Sequence, residues 1–275
     1  MTGNSTYPVL SILFAILFLN ACGTDGNNDS NADWELTWSD DFEGSKGELL
    51  NPVNWTYDIG TSQNGWGNQE LQYYTNRPEN VSLDGEGNLV ITAIAEPFSG
   101  SPYTSARIKT EVLFDQAYGG FEARIITPFG PGIWPPYWML GADFSAAGWP
   151  HTGKIDIMEF RGQEPQRIHG SLHGPGYSAG TAVTSSHSLS NSRFDTSFHI
   201  FAVEWLKNRI DYFVDEVRYQ CIERSDIDGK WVFNKPFFLI LNTAVGGTFV
   251  GPPTDQTPFP QEMIIDFVKV YSMAE

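Results

Sequence analysis

The sequence predicts an all-β domain, and three observations carry that prediction. Segments in which apolar and polar residues alternate recur along the chain, as in Trp34–Trp38 and Phe259–Tyr271. Glycines and aromatics are abundant, with 27 Gly, 19 Phe, 11 Tyr and 9 Trp among 275 residues, which suits a turn-rich sheet protein with stacking surfaces. No stretch carries the spacing of a long amphipathic helix, and no internal repeat is present. Acidic residues outnumber basic ones 33 to 16, a net charge of −17. That balance excludes nucleic acid or an anionic membrane surface as a partner held by charge, and suits a neutral polysaccharide.

The N-terminus stands apart. Val9–Leu19 is apolar but too short to span a bilayer comfortably, so residues 1–21 read as a signal peptide. Leu19-Asn20-Ala21-Cys22 resembles a bacterial lipobox, although no Lys or Arg precedes the apolar run. Cleavage there would leave Cys22 to be lipidated, placing the protein in the bacterial cell envelope on a lipid anchor, at the outer membrane or cell surface; an ordinary cleaved signal would make it secreted. Residues 22–33 are polar and acidic and read as a flexible linker, and the domain runs over 34–275. The only other cysteine, Cys221, has too different a setting for a disulfide with Cys22, and reads as a half-buried small residue.

Within the domain, Trp34–Trp38 is the first strand. Asn64–Tyr74 is rich in glycine and amides and predicts a loop that places Trp66 and Asn68 near a polar ligand, or else a packed turn. Asn88–Ala95 and Gly120–Ile126 are strand-like, and Arg107 lies between them as a surface ion pair or a site residue. Gly132–Met139 is crowded with aromatics, including Trp134 and Trp138. Phe198–Trp205 and Arg209–Val214 predict adjacent strands. Pro236–Val245 predicts a central core strand with Asn242 as its polar exception, open to a cleft. His169 and His173 are four apart, which on a helix would suggest a metal pair. The Gly and Pro content of His169–Tyr177 forbids that helix.

Gly153–Phe160 is the stretch around which the rest is arranged. Ile155 and Ile157 alternate with Lys154 and Asp156, so these two polar residues share one face. Strict alternation puts Glu159 on the other face, and one extra residue in a β-bulge would return it. A solvated edge carrying an ion-pair set accounts for the pattern. So does a cleft in which acids and indoles meet a sugar chain, because carboxyl groups beside Trp and Tyr are what glycosidic cleavage needs.

These residues resemble the laminarinases, endo-1,3-β-glucanases of glycoside hydrolase family 16. The family pattern is Glu-x-Asp-x-x-Glu, and the chain has Lys154-Ile155-Asp156-Ile157-Met158-Glu159. The similarity continues in Gly65–Gln72, Tyr103–Ile108, Leu172–Gly176, Phe198–Trp205 and Met263–Tyr271, and so spans the domain from about Trp34 to Tyr271. It implies a β-jelly-roll sandwich of two antiparallel sheets with a curved open cleft, acting as a monomer on β-glucan. It assigns Glu159 as general acid/base and Asp156 as the supporting carboxylate. Lys154 stands where the nucleophile Glu belongs. Trp66, Asn68, Arg107, Trp134, Trp138, His173 and Asn242 become substrate-binding candidates, with His173 touching substrate or Glu159. No cofactor is implied for catalysis. A structural calcium ion is, with Asp266, the Gly87 backbone oxygen and Glu43 as candidate ligands.

Lys154 bears on both catalytic roles. An ammonium repels a developing oxocarbenium ion, and its charge favours the ionised form of Glu159. Two functions of different class follow: a laminarin hydrolase impaired by one residue, or a non-hydrolytic β-glucan-binding surface lipoprotein.

Overall fold

The computed structural model describes residues 34–274; the signal segment, Cys22 and the linker lie outside the described residues. The alternating segments build two stacked sheets. The larger runs, in spatial order, Val217–Glu223, Arg209–Val214, His199–Leu206, Gly119–Ile126, Gln261–Met273, Leu89–Phe98, Ser101–Ser105 and Gln72–Tyr74. Trp34–Asp40 also pairs with the terminal strand, and Val81–Leu83 with Leu89–Phe98. The smaller sheet runs Val183–Ser188, Arg167–His173, Lys154–Phe160, Pro136–Gly141, Phe237–Asn242, Arg107–Lys109 and Thr56–Asp58. Pairing is antiparallel apart from Gln72–Tyr74 beside Ser101–Ser105. This is the expected jelly-roll sandwich.

The core lies between the sheets. Phe121, Phe201, Trp205 and Tyr212 from the larger sheet meet Tyr137, Met139, Ile155, Leu172, Leu239 and Leu241 from the smaller, all fully buried. Each such side chain contributes about 1.5–3 kcal/mol by leaving water, and together they fix which face of the smaller sheet points outward. On that outer face alternation leaves Trp138 and Leu140, Phe238 and Ile240, and the polar residues of the site.

One element differs from expectation, and a second takes the packed-turn alternative. Pro236–Val245 is not one strand: the sheet strand ends at Asn242, and Ala244–Val245 pairs instead with Ile133–Trp134. A continuous apolar run does not encode which neighbour each residue will meet. The Asn64–Tyr74 segment is a tight turn at Gly65–Gln69 in which Trp66 and Gly67 have positive φ. Gly65 (φ +57) is required there, because a Cβ would stand 2.4 Å from the backbone of Glu70.

Candidate active site

The bulge is present. Asp156 pairs with Ser171 and Glu159 with His169, so three steps on one strand match two on its neighbour. Ile157 and Met158 both turn into the core, at 1% and 0% exposure, which anchors the extra residue by apolar burial. Asp156 and Glu159 thereby share the outward face with Lys154.

Asp156 is fully buried and held from two sides. Lys154 Nζ lies 2.5 Å from its Oδ1, and His173 Nε2 lies 3.0 Å from its Oδ2. The backbone N–H of Ala179 donates to His173 Nδ1 at 3.2 Å. His173 therefore carries its proton on Nε2 and donates it to Asp156. The expected contact with Glu159 is replaced by this one, because the register sets His173 opposite Lys154 and beside Asp156. Burial pushes the Asp156 carboxyl up, but the Lys154 charge and the His173 hydrogen bond outweigh it, and the net shift is downward. Burial pulls Lys154 down, and the charges of Asp156 and Glu159 more than reverse that, so it stays a cation.

Glu159 behaves differently. Burial and the Asp156 charge raise its carboxyl to about 7, against the opposing pull of Lys154 and of the Ser171 hydroxyl, which donates to Oε2 at 3.3 Å. Trp134 lies near enough to favour the carboxylate slightly, but its indole N–H makes no hydrogen bond of normal geometry. Lys154 favours the ionised form of this acid, as expected, without deciding its net shift. The effect has the expected direction and is too small, since dehydration and Asp156 together exceed it.

The other candidates form a connected wall. Arg107 lies between two indoles, its Cζ 4.8 Å from the ring centroids of both Trp66 and Trp138. Its Nε is 2.9 Å from Asp58, which also takes Lys109 at 2.7 Å. Lys154 Nζ stands 4.5 Å from the Trp138 ring. Trp138, 9% exposed, thus braces two cations instead of offering an open face to a sugar. Its N–H donates to Asn242 Oδ1 at 3.0 Å, and Asn242 Nδ2 donates to the Tyr74 hydroxyl at 2.9 Å. Asn242 is buried with both ends of its amide engaged, so it supports the cleft wall and does not open to the cleft as expected. Asn68 Nδ2 donates to Glu70 Oε1 at 3.0 Å, and Glu70 Oε2 accepts from Gln72 and Tyr74. One amide hydrogen of Asn68 is therefore turned to Glu70. The open aromatic at this site is Trp149, 45% exposed, with its ring 5.4 Å from His173.

Asp58, Glu70, Tyr74 and Ser171 were not legible as site residues. Only the strand alternation of Arg107-Ile108-Lys109 hinted at a second charged row, and nothing local pointed to Asp58 as its partner. Asp156, Glu159 and His173 place ligand atoms within 4.8 Å of one another, the one such trio among the described residues. The Lys154 ammonium already occupies Asp156, so this trio does not suit a metal cation. Of the calcium candidates, Glu43 lies beside Gly87, with Oε1 3.7 Å from where a Cβ there would stand. Asp266 is ion-paired with Arg124 through Oδ2.

A buried acid with a second carboxylate on one bulged strand, in a cleft walled by indoles, defines a carbohydrate-active protein of the glycosidase type. The chain belongs to the glycosyl hydrolases family 16, whose model matches residues 60–267. It is 40% identical over 277 residues to a β-glucanase of Rhodothermus marinus, covering 97% of this chain and 94% of that one. The laminarinase catalytic domain of Thermotoga maritima superposes with a TM-score of 0.84 at 41% identity, over 88% of this chain and all of that one. The endo-β-1,3-glucanase of Pyrococcus furiosus gives 0.85 at 41% identity, over 90% and 97%.

Proposed function

We propose that the cleft takes β-1,3-glucan chains of the laminarin type, and that the family's retaining hydrolysis is blocked in this chain at position 154. The observation that carries the reading is the Lys154–Asp156 contact of 2.5 Å on the face shared with Glu159. Retaining hydrolysis needs two carboxyl groups, one to attack the anomeric carbon and one to protonate the leaving oxygen. Glu159, raised to about 7, is suited to donate that proton near neutrality. The attacking carboxylate has no counterpart. Lys154 is a cation with no lone pair to attack, and its charge opposes the positive charge that develops on the sugar. Asp156 is 0% exposed with both oxygens engaged, so it can neither reach the sugar nor activate a water for inversion.

The test compares reducing-sugar release from laminarin by this chain and by Lys154→Glu, with glucan binding measured for both. Binding by both with cleavage only by the variant supports the reading. Efficient cleavage by the unaltered chain overturns the assignment of position 154. Cleavage by neither, with binding by both, favours the second reading, a non-hydrolytic β-glucan-binding surface lipoprotein. The neutralised Lys154–Asp156 pair speaks for that reading. Either way the domain is proposed to act as a monomer, tethered through a lipid on Cys22 by the 22–33 linker.

A further inference from the structure

Beyond Glu159 the cleft face carries a group of side chains that the reaction does not use. Phe249 is ringed by three of them. The Arg161 guanidinium carbon lies 4.2 Å from its ring centroid, the His169 ring 5.6 Å away edge-on, and the Trp134 ring 5.2 Å away. His169 is paired with Glu159 across the strands, so this group adjoins the acid directly. Arg161 Nε and His169 Nε2 are both sealed from solvent and make no hydrogen bond, and the Trp134 indole nitrogen is in the same state. A buried donor without a partner is costly: Arg161 Nε is one in every state and His169 Nε2 is one in its Nε2–H tautomer, while the Trp134 indole is turned toward Glu159. The ring that seals them belongs to Gly246-Gly247-Thr248-Phe249-Val250-Gly251. Its backbone is held on both sides of Phe249, by Gly246 N–H to Gly132 O at 2.7 Å, Thr248 N–H to Asn68 O at 2.8 Å and Gln163 Nε2 to Val250 O at 3.0 Å, so the ring leaves by turning about its own side-chain bonds.

We infer that Phe249 is a plug seated in a subsite for an oxyanion-bearing sugar, with Arg161 and His169 as its recognition groups. The nitrogens are donor-rich and one belongs to a fixed cation. Sugar hydroxyls need acceptors as well as donors, whereas a carboxylate or a sulfate ester needs donors and positive charge. Arg161 and Arg167 share a single carboxylate partner, Glu164, at 3.3 and 3.8 Å, which leaves this corner locally positive on a chain of net charge −17. When the plug swings out, the anion takes the place of the ring and the sealed nitrogens gain an acceptor. This inference deepens the glucan reading and rests on it: the ligand is a β-glucan carrying an anionic substituent near the bond beside Glu159.

The experiment measures binding of the purified chain to three matched β-1,3-glucan oligosaccharides: neutral, partly sulfated, and oxidised at C6 to the carboxylate. Phe249→Ala, Arg161→Ala and Arg161→Lys are measured alongside, each checked for an unchanged melting curve. The expected result is tighter binding of an anionic oligosaccharide than of the neutral one, a further several-fold gain in Phe249→Ala, and no such gain for the neutral ligand. Arg161→Ala loses about ten- to hundredfold for the anionic ligand alone, and Arg161→Lys recovers part of that. The sulfated and oxidised arms tell which oxyanion is meant. Equal binding of all three ligands, or equal losses for all three in Arg161→Ala, overturns the subsite and leaves the glucan reading standing. Absence of binding to all three overturns both.

Discussion

Two carboxyl pairs lie on opposite sides of this sandwich, and their electrostatics are nearly the same. On the cleft face, Glu159 is raised to about 7 by burial and by the Asp156 charge. On the outer face of the larger sheet, Glu204 is raised to about 7 by burial and by the charge of Asp211, its partner in register. Each pair has one carboxylate held by two donors: Asp156 by the Lys154 ammonium and the His173 imidazole, Asp211 by Arg209 at 2.8 Å and Arg218 at 3.4 Å. The surroundings differ. Asp156 and Glu159 sit on a bulged strand beside Trp134, Trp138 and the half-exposed Trp149. Glu204 and Asp211 face each other across an unbroken antiparallel register, and the neighbours that hold Asp211 are arginines. A perturbed carboxyl pair is therefore not by itself a site. The aromatic cleft, which gives one pair something to act on, makes the difference.

The largest test of that contrast is Lys154→Glu. It restores the missing carboxylate and also pushes Glu159 further toward its protonated form, so laminarin hydrolysis should rise by about 10⁴-fold or more, read as reducing sugar. Placing a carboxylate anywhere around Glu204 should give no hydrolysis. Next in size is Asp156→Ala, which strands the mostly buried Lys154 cation; a loss of about 3 kcal/mol or more is expected in chemical denaturation. A loss below 1 kcal/mol would show that the pair is solvent-relaxed.

Glu204→Gln probes the outer pair. A carboxyl raised to about 7 in the fold is still protonated there while its unfolded counterpart ionises, so it favours folding at low pH. That advantage disappears as pH rises from the ordinary glutamate value through 7. Glu204→Gln should flatten this decline by on the order of 2 kcal/mol and leave glucan binding untouched. A change in binding would mean that the two faces are coupled. The smallest effect belongs to Ser171→Ala in the Lys154→Glu background. Its hydroxyl favours the Glu159 carboxylate, so its removal should move the alkaline limb of the pH–rate profile upward. A limb that does not move would separate that limb from Glu159.

Local pattern was sufficient for much of this. Alternation over 154–157 placed Lys154 and Asp156 together, and the need for one extra residue before Glu159 was readable because a strand's side-chain period is two. The family resemblance and the presence of a lysine at position 154 required only the order of residues. The folded arrangement decided what each of them meets. His173 lands on Asp156, Asn242 bonds Trp138 and Tyr74, and Asp58 pairs with Arg107, across sequence separations that no local period encodes. The charge state of Glu159 also belonged to the tertiary structure, because it is a balance between dehydration, one anion and one cation. Each of those depends on distance and burial, and sequence alone gives neither.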